Sequence, residues 1–177
     1  MPKPLVAIVG RPNVGKSTLF NRLVGQRLSI VSDIPGTTRD RVSASISWKD
    51  RSFMLVDTGG LEVMPSSDLW EKVKAQVEMA VEEADAIILL TDTVEGVTPG
   101  DEEIAQSLRR RGKPLLLAVN KADNFRREQG VVEFYRLGLG EPVPISAYHN
   151  LGIQDLLTRL DCLLPESSEE DEAEALI

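Results

Sequence analysis

The sequence predicts an α/β fold: a mostly parallel, six-stranded sheet with one antiparallel strand and helices on both faces. Three observations predict it. Short, continuous apolar runs read as fully buried strands; segments with helical spacing separate them; and one run alternates with a period of two. Leu5 to Val9 (LVAIV) is the first buried strand, ending at a glycine, and Lys16 to Val24 follows with Leu19, Phe20, Leu23 and Val24 at helical spacing. Arg27 to Asp40 lacks periodicity and carries Pro35 and Gly36, so it reads as a long, functional loop. Val42, Ala44, Ile46 and Trp48 alternate with serines, the pattern of a strand with one wet face. Lys49 to Arg51 turns this strand back into Phe53 to Val56, which makes the antiparallel hairpin.

A second loop, Thr58 to Asp68, precedes a helix with Val73, Val77, Ala80, Val81 and Ala84 on one face. The remainder alternates: strand Ala86 to Thr91, helix Asp101 to Arg111, strand Pro114 to Val119, helix Phe125 to Leu137, short strand Val143 to Ile145. The final helix carries Ile153, Leu156, Leu157, Leu160 and Leu164. Residues 1–165 thus form one domain. From Glu166 to Ile177 the chain is short of aromatics and dense in acid, which predicts a flexible linker or tail.

Composition narrows the function. The chain has 177 residues and 42% apolar content, enough for one real core. With 28 acidic against 20 basic residues the net charge is -8, which argues against a broad nucleic-acid footprint and predicts no direct nucleic-acid binding. Cys162 is the sole cysteine, so no internal disulfide forms, and its thiol is expected to pack on a helix in a reducing compartment. No apolar run approaches the roughly 18 residues of a membrane span, and the strand signal at Leu5 leaves no room for a secretory signal. The expectation is a soluble, cytoplasmic protein with no membrane partner.

GRPNVGKS, Gly10 to Ser17, matches G-x-x-x-x-G-K-[ST] between a buried strand and a helix start, where a phosphate loop must lie. Gly10 and Gly15 allow the backbone to turn its amide groups inward, and the helix beginning at Lys16 adds its positive dipole end. Gly10, Asn13, Val14, Gly15, Lys16, Ser17 and Thr18 are therefore the predicted phosphate site. Lys16 reaches the β- and γ-phosphates, and the Ser17 hydroxyl suits Mg²⁺, a hard ion.

The base is read elsewhere. Asn120 to Asp123 (NKAD) directly follows a buried strand, at the carboxyl end of the sheet. The Asp123 carboxylate only accepts hydrogen bonds, and guanine offers donors at N1 and N2 where adenine offers none. Asn120 is expected to bridge loop and base, the Lys121 stem to cover the base, and Ser146-Ala147 to present a backbone N–H to guanine O6. Asp57 opens DTGG and is placed to hold Mg²⁺ through water, with Gly60 offering its N–H to the γ-phosphate. Thr37 and Thr38, in the first long loop, can complete the Mg²⁺ shell only while the triphosphate is intact.

These residues resemble a family. GRPNVGKS, DIPGTTRD (Asp33 to Asp40), DTGG, NKAD and the SA pair are similar to the Der (EngA) GTPases across Pro4 to Pro165. The resemblance implies the P-loop GTPase fold, a molecular switch that turns GTP into GDP and phosphate, and a role in assembling the large ribosomal subunit. It also implies that this chain is the first of two tandem GTPase domains, with the acidic linker, while the second GTPase domain and a KH-like domain lie outside it. Mg²⁺ falls on Ser17 and Thr38, with Thr38 as γ-phosphate sensor. Leu61 stands where Ras-type enzymes orient water with glutamine, and a hydrocarbon cannot align a nucleophile. Related GTPases with asparagine at the position of Asn13 use K⁺, so the resemblance implies K⁺ held by Asn13 and carbonyls near Ser32 and Ile34. On this reading Lys16, Thr38, Asn13 and Gly60 carry catalysis. Glu62, Asp68 and Glu71 all lie near the second loop, and spacing selects none of them to position water.

MnmE-type tRNA-modifying GTPases share the TTRD and asparagine features, and a nucleotide-holding regulatory module is the non-catalytic alternative. A P-loop kinase is disfavoured, because NKAD selects guanine and Arg109 to Arg111 merely end a helix.

Overall fold

A computed structural model of the chain describes residues 3–25, 42–49, 51–58 and 66–164. Strand β1 (Leu5–Val9) lies inside the sheet because both its faces are apolar: Val6 and Ile8 point to one core, Ala7 and Val9 to the other. The same alternation runs through β4 (Ala86–Asp92), which is buried along its whole length, and β5 (Leu115–Asn120). With β2 (Val42–Trp48), β3 (Arg51–Asp57) and β6 (Val143–Pro144), the sheet has six strands in the order β2-β3-β1-β4-β5-β6. All pairings are parallel except β2 with β3. The predicted fold class holds.

Helices cover both faces. Leu19, Phe20 and Leu23 of α1 (Lys16–Gly25) and Ile153, Leu156, Leu157 and Leu160 of α5 (Ile153–Leu163) close one core. The other is closed by α2 (Ser66–Glu83), by α3 (Pro99–Arg111) and by a short helical segment after β5. Truncating Leu89, fully buried in β4, to alanine would cost about 2–5 kcal/mol.

The elements differ from the sequence expectation mainly at their ends. Trp48 pairs with Arg51, so β3 starts two residues earlier than Phe53 and also takes in Asp57. Helix α3 starts at Pro99 rather than Asp101, because Thr98 and Asp101 form a capping box: Thr98 Oγ1 accepts from Asp101 N at 3.2 Å, and Asp101 Oδ2 accepts from Thr98 N at 3.1 Å. The helix expected over Phe125 to Leu137 is a short α4 (Phe125–Gln129) followed by a 3₁₀ helix (Gly130–Leu137). Val131, Phe134 and Leu137 recur every third residue and are all buried, the side-chain period of a 3₁₀ helix. Thr93 Oγ1 donates to Arg127 O at 2.8 Å and stands 2.7 Å from where a Cβ on Gly130 would lie, so the chain passes tightly there. Cys162 sits on α5 but is exposed rather than packed. The predicted loop at 27–40, most of the second loop and the acidic segment 166–177 lie outside the described residues. Among the described residues, no helix is long and apolar enough to cross a membrane.

Candidate nucleotide site

The parallel order sends the carboxyl ends of β1, β3, β4 and β5 to one edge of the sheet, and those predicted site residues that are described gather there. The loop between β1 and α1 is shaped by its glycines. Gly15 has φ +105°, and a Cβ there would run into the Asn120 side-chain amide; a Cβ on Gly10 would lie 2.5 Å from Leu90 O. Asn13, exposed, takes φ 67°, a left-handed conformation that asparagine tolerates. Lys16 is buried, with 4% of its surface exposed, and its Nζ donates to Gly10 O at 2.7 Å. The ammonium is thus held beside the loop it must serve. Val14 is buried in the core, whereas Thr18 is exposed on α1.

Beside this loop, two motifs converge. Ser17 Oγ donates to Asp57 Oδ2 at 3.2 Å, across 40 residues of sequence. Asp57 is buried at the end of β3, opposite Ile8 in register, and Thr58 Oγ1 donates to Ile8 O at 2.8 Å to anchor the strand end. A hydroxyl and a carboxylate side by side at a helix N-terminus are a donor set that suits a hard divalent cation completed by phosphate oxygens. The residues therefore fit Mg²⁺. No cluster of three or more His, Cys, Asp and Glu side chains able to hold a metal occurs among the described residues.

The loop is braced by a residue that sequence reasoning missed. Arg11 Nε donates to Asp101 Oδ1 at 2.8 Å and Nη1 to Glu95 Oε2 at 2.9 Å. Asp101 is fully buried, so it depends on this partner. Burial alone would lower the Arg11 pKa, but the hydrogen bonds and charges of Asp101 and Glu95 outweigh it and raise the pKa. Gly100 keeps the contact close, since a Cβ there would sit 3.0 Å from Arg11 Cδ and 3.1 Å from the Trp70 ring. Phosphate loop, α3 and α2 meet at this point.

On the base side, Asn120 is 4% exposed; its Nδ2 donates to Val14 O at 2.9 Å, and its Oδ1 accepts from Ala147 N at 3.0 Å. It ties the phosphate loop to the 146–147 turn, and the Ala147 N–H expected for guanine O6 donates to it. Each polar end of the amide makes one bond within the protein, which leaves one N–H and one oxygen lone pair over. Ser146 is buried, and its Oγ accepts from His149 N at 3.3 Å. Arg22 of α1 holds the same turn, donating to Ala147 O at 2.8 Å and to Tyr148 O at 2.7 Å. Lys121, with φ 66°, sends Nζ to Asp92 Oδ2 at 2.7 Å and towards Asn13 O at 3.4 Å. Asp92 is buried and also accepts from Val94 N at 2.8 Å, so it anchors Lys121 from beneath. Asp123 is 18% exposed, with Arg127 Nη1 3.0 Å from Oδ1 and His149 Nε2 3.5 Å from Oδ2. His149, read from sequence as a surface residue, is half exposed yet reaches this carboxylate.

Arg22 and Asp92 were not singled out because their partners are distant in sequence. Ser32, Ile34, Thr37, Thr38, Gly60 and Glu62 lie outside the described residues. Glu71, on α2, pairs with Lys74 at 3.0 Å.

A glycine loop after the first strand of this sheet, with its ligand residues on one edge, defines the class as a P-loop GTPase domain. The chain belongs to the family described as 50S ribosome-binding GTPase, which it matches over residues 5–121. It is 53% identical over 171 residues to the GTPase Der of Pelotomaculum thermopropionicum, covering 97% of this chain but 39% of that protein. The chain therefore spans about 39% of the length of that relative. The fold is shared with a variant of Aquifex aeolicus Era bound to GDP.AlF4- (TM-score 0.73, 35% identity, 95% of this chain and 59% of that one). It is equally similar to Era in complex with MgGDPNP and a 16S ribosomal RNA segment (TM-score 0.74, 35% identity, 95% and 59%).

Proposed function

We propose that this chain is the first GTPase domain of a Der-type protein, a switch that binds GTP at the carboxyl edge of its sheet and hydrolyses it. The observation that carries this is the convergence of Ser17 and Asp57, 3.2 Å apart, next to the buried Lys16. Lys16 lies on the β- and γ-phosphates, the amide groups from Asn13 to Thr18 wrap them, and Asp123 accepts from guanine N1 and N2. Asn120 and Ser146-Ala147 shape the base pocket. Ser17 and Asp57, with Thr38, hold Mg²⁺; Asn13 holds K⁺ together with carbonyls near Ser32 and Ile34. These ions would supply positive charge beside the bridging and γ-phosphate oxygens as charge develops there. Gly60 and Thr38 sense the γ-phosphate, so its loss releases two loops together.

Era, a relative by fold, is described in complex with MgGDPNP and 16S ribosomal RNA, and the matched family is described as 50S ribosome-binding. The family description supports a role of the longer protein in large-subunit assembly, and the Der resemblance adds a cytoplasmic location and, in cis, a second GTPase domain and a KH-like domain. Single-turnover hydrolysis with protein in excess tests the catalytic half. GTP should be cleaved in Mg²⁺, roughly tenfold faster in K⁺ than in Na⁺ if a monovalent cation replaces the missing glutamine. Equal rates in the two salts would overturn the K⁺ assignment, and no phosphate release above background would overturn the enzyme. Co-sedimentation of the full-length protein with 50S subunits, dependent on GTP, tests the rest.

A further inference from the structure

The Asp123 carboxylate has a protein side chain near each of its oxygens. Arg127, four residues on in α4, places Nη1 3.0 Å from Asp123 Oδ1, and His149, from the turn after β6, places Nε2 3.5 Å from Oδ2. The His149 ring is set by an edge-on contact with Tyr148, centroids 4.9 Å apart, and Arg22 fixes that turn through the Ala147 and Tyr148 carbonyls. The Asn124 cap, whose side chain accepts from Arg127 N at 2.9 Å, starts α4 and fixes where the Arg127 side chain leaves the helix.

A carboxylate has about four lone-pair positions, two on each oxygen. Arg127 donates to Oδ1 and the His149 ring lies near Oδ2, so each oxygen keeps acceptor capacity, and guanine presents two parallel donors, N1–H and N2–H. We propose that Arg127 and His149 are positioning residues that set the plane of the Asp123 carboxylate and thereby its discrimination for the guanine 2-amino group. This deepens the reading of Asp123 as the guanine acceptor and rests on it. Arg127 carries the larger share, its contact being shorter and of fixed charge; His149 trims the second oxygen. Neither residue touches the base.

Inosine diphosphate lacks the 2-amino group and keeps N1–H, so the ratio of GDP to IDP affinity reads the plane of the carboxylate. The variants Arg127→Ala, Arg127→Lys and His149→Gln of the 177-residue chain are titrated with both nucleotides, beside Asp123→Asn. Both groups are 40–55% exposed, and exposed pairs are weak, so Arg127→Ala should lower the GDP/IDP ratio by roughly two- to fivefold. Arg127→Lys should recover part of it, and His149→Gln should lower it less than Arg127→Ala. If Arg127→Ala weakens GDP and IDP equally, or changes neither, Arg127 only braces α4 and the proposal is overturned. Asp123→Asn separates the two layers. It should abolish the preference for guanine over inosine and adenine; if that preference persists, Asp123 is not the guanine acceptor and the underlying reading fails instead.

Discussion

The two ends of the nucleotide site are built differently. At the phosphate end two charged groups, Lys16 and Asp57, are almost inaccessible beside the exposed Asn13, Ser17 and Thr18; Gly15 allows no side chain, and Arg11 is locked to a fully buried Asp101. At the base end the carboxylate proposed to read the base, Asp123, is partly exposed and flanked by Arg127 and His149, both half in solvent. Phosphate is the same in every nucleotide, so that end can be rigid, with Lys16 and Asp57 in the low-dielectric interior where electrostatic contacts are strongest. The base must be tested and released, and its contacts are correspondingly soft. Asn120 joins the two ends, one amide atom on Val14 and the other on Ala147.

If that contrast is right, damage should grade from the phosphate end to the base end. Lys16→Ala should slow single-turnover GTP hydrolysis by roughly 10²–10³-fold or more, the usual loss of a preorganised charge on a developing anion. Next comes Gly15→Ala, which strains a positive φ and collides with the Asn120 amide; it should weaken GDP binding about 100-fold in equilibrium titration and lower stability by about 1–3 kcal/mol. Asn120→Ala leaves the Val14 carbonyl and the Ala147 amide without their partner. Chemical denaturation should show about 2–3 kcal/mol lost, with both ends of the nucleotide affected. Arg11→Leu removes the charged partner of the buried Asp101, which keeps only the Thr98 N–H of its capping box, for about 2–4 kcal/mol, with a change in GDP affinity smaller than that of Gly15→Ala. A smaller loss of stability than from a surface pair, about 0.5 kcal/mol, would show that Asp101 finds another partner. The Arg127 and His149 variants should do least.

The same contrast governs what the sequence reveals. Gly10, Gly15, Lys16 and Ser17 act through a contiguous loop, so their string and its place between β1 and α1 are enough to find them. NKAD is legible for the same reason. Arg11 lies inside that string, yet its partners Glu95 and Asp101 stand 84 and 90 residues away, and only the folded sheet brings them together. Arg22 and Asp92 were missed for this reason. Strands and helices were legible wherever one period dominated, as in β1, β4 and α5. The segment 130–137 was not, because a period of three beside Gly130 was merged with the helix before it, although Val131, Phe134 and Leu137 carried the signal. Asn120 shows the limit from the other side: its place after β5 was legible, but its bonds to Val14 O and Ala147 N, 106 and 27 residues away, were not.

Competition binding of GTP and ATP to the 177-residue chain in Mg²⁺ and K⁺ tests the central claim most directly. The phosphates are identical, so any difference in affinity comes from the base end alone. The account predicts that ATP binds at least about 100-fold more weakly than GTP, because adenine leaves the Asp123 carboxylate without its donors. Equal affinity for the two would contradict it, leaving a phosphate cradle with no guanine reader attached.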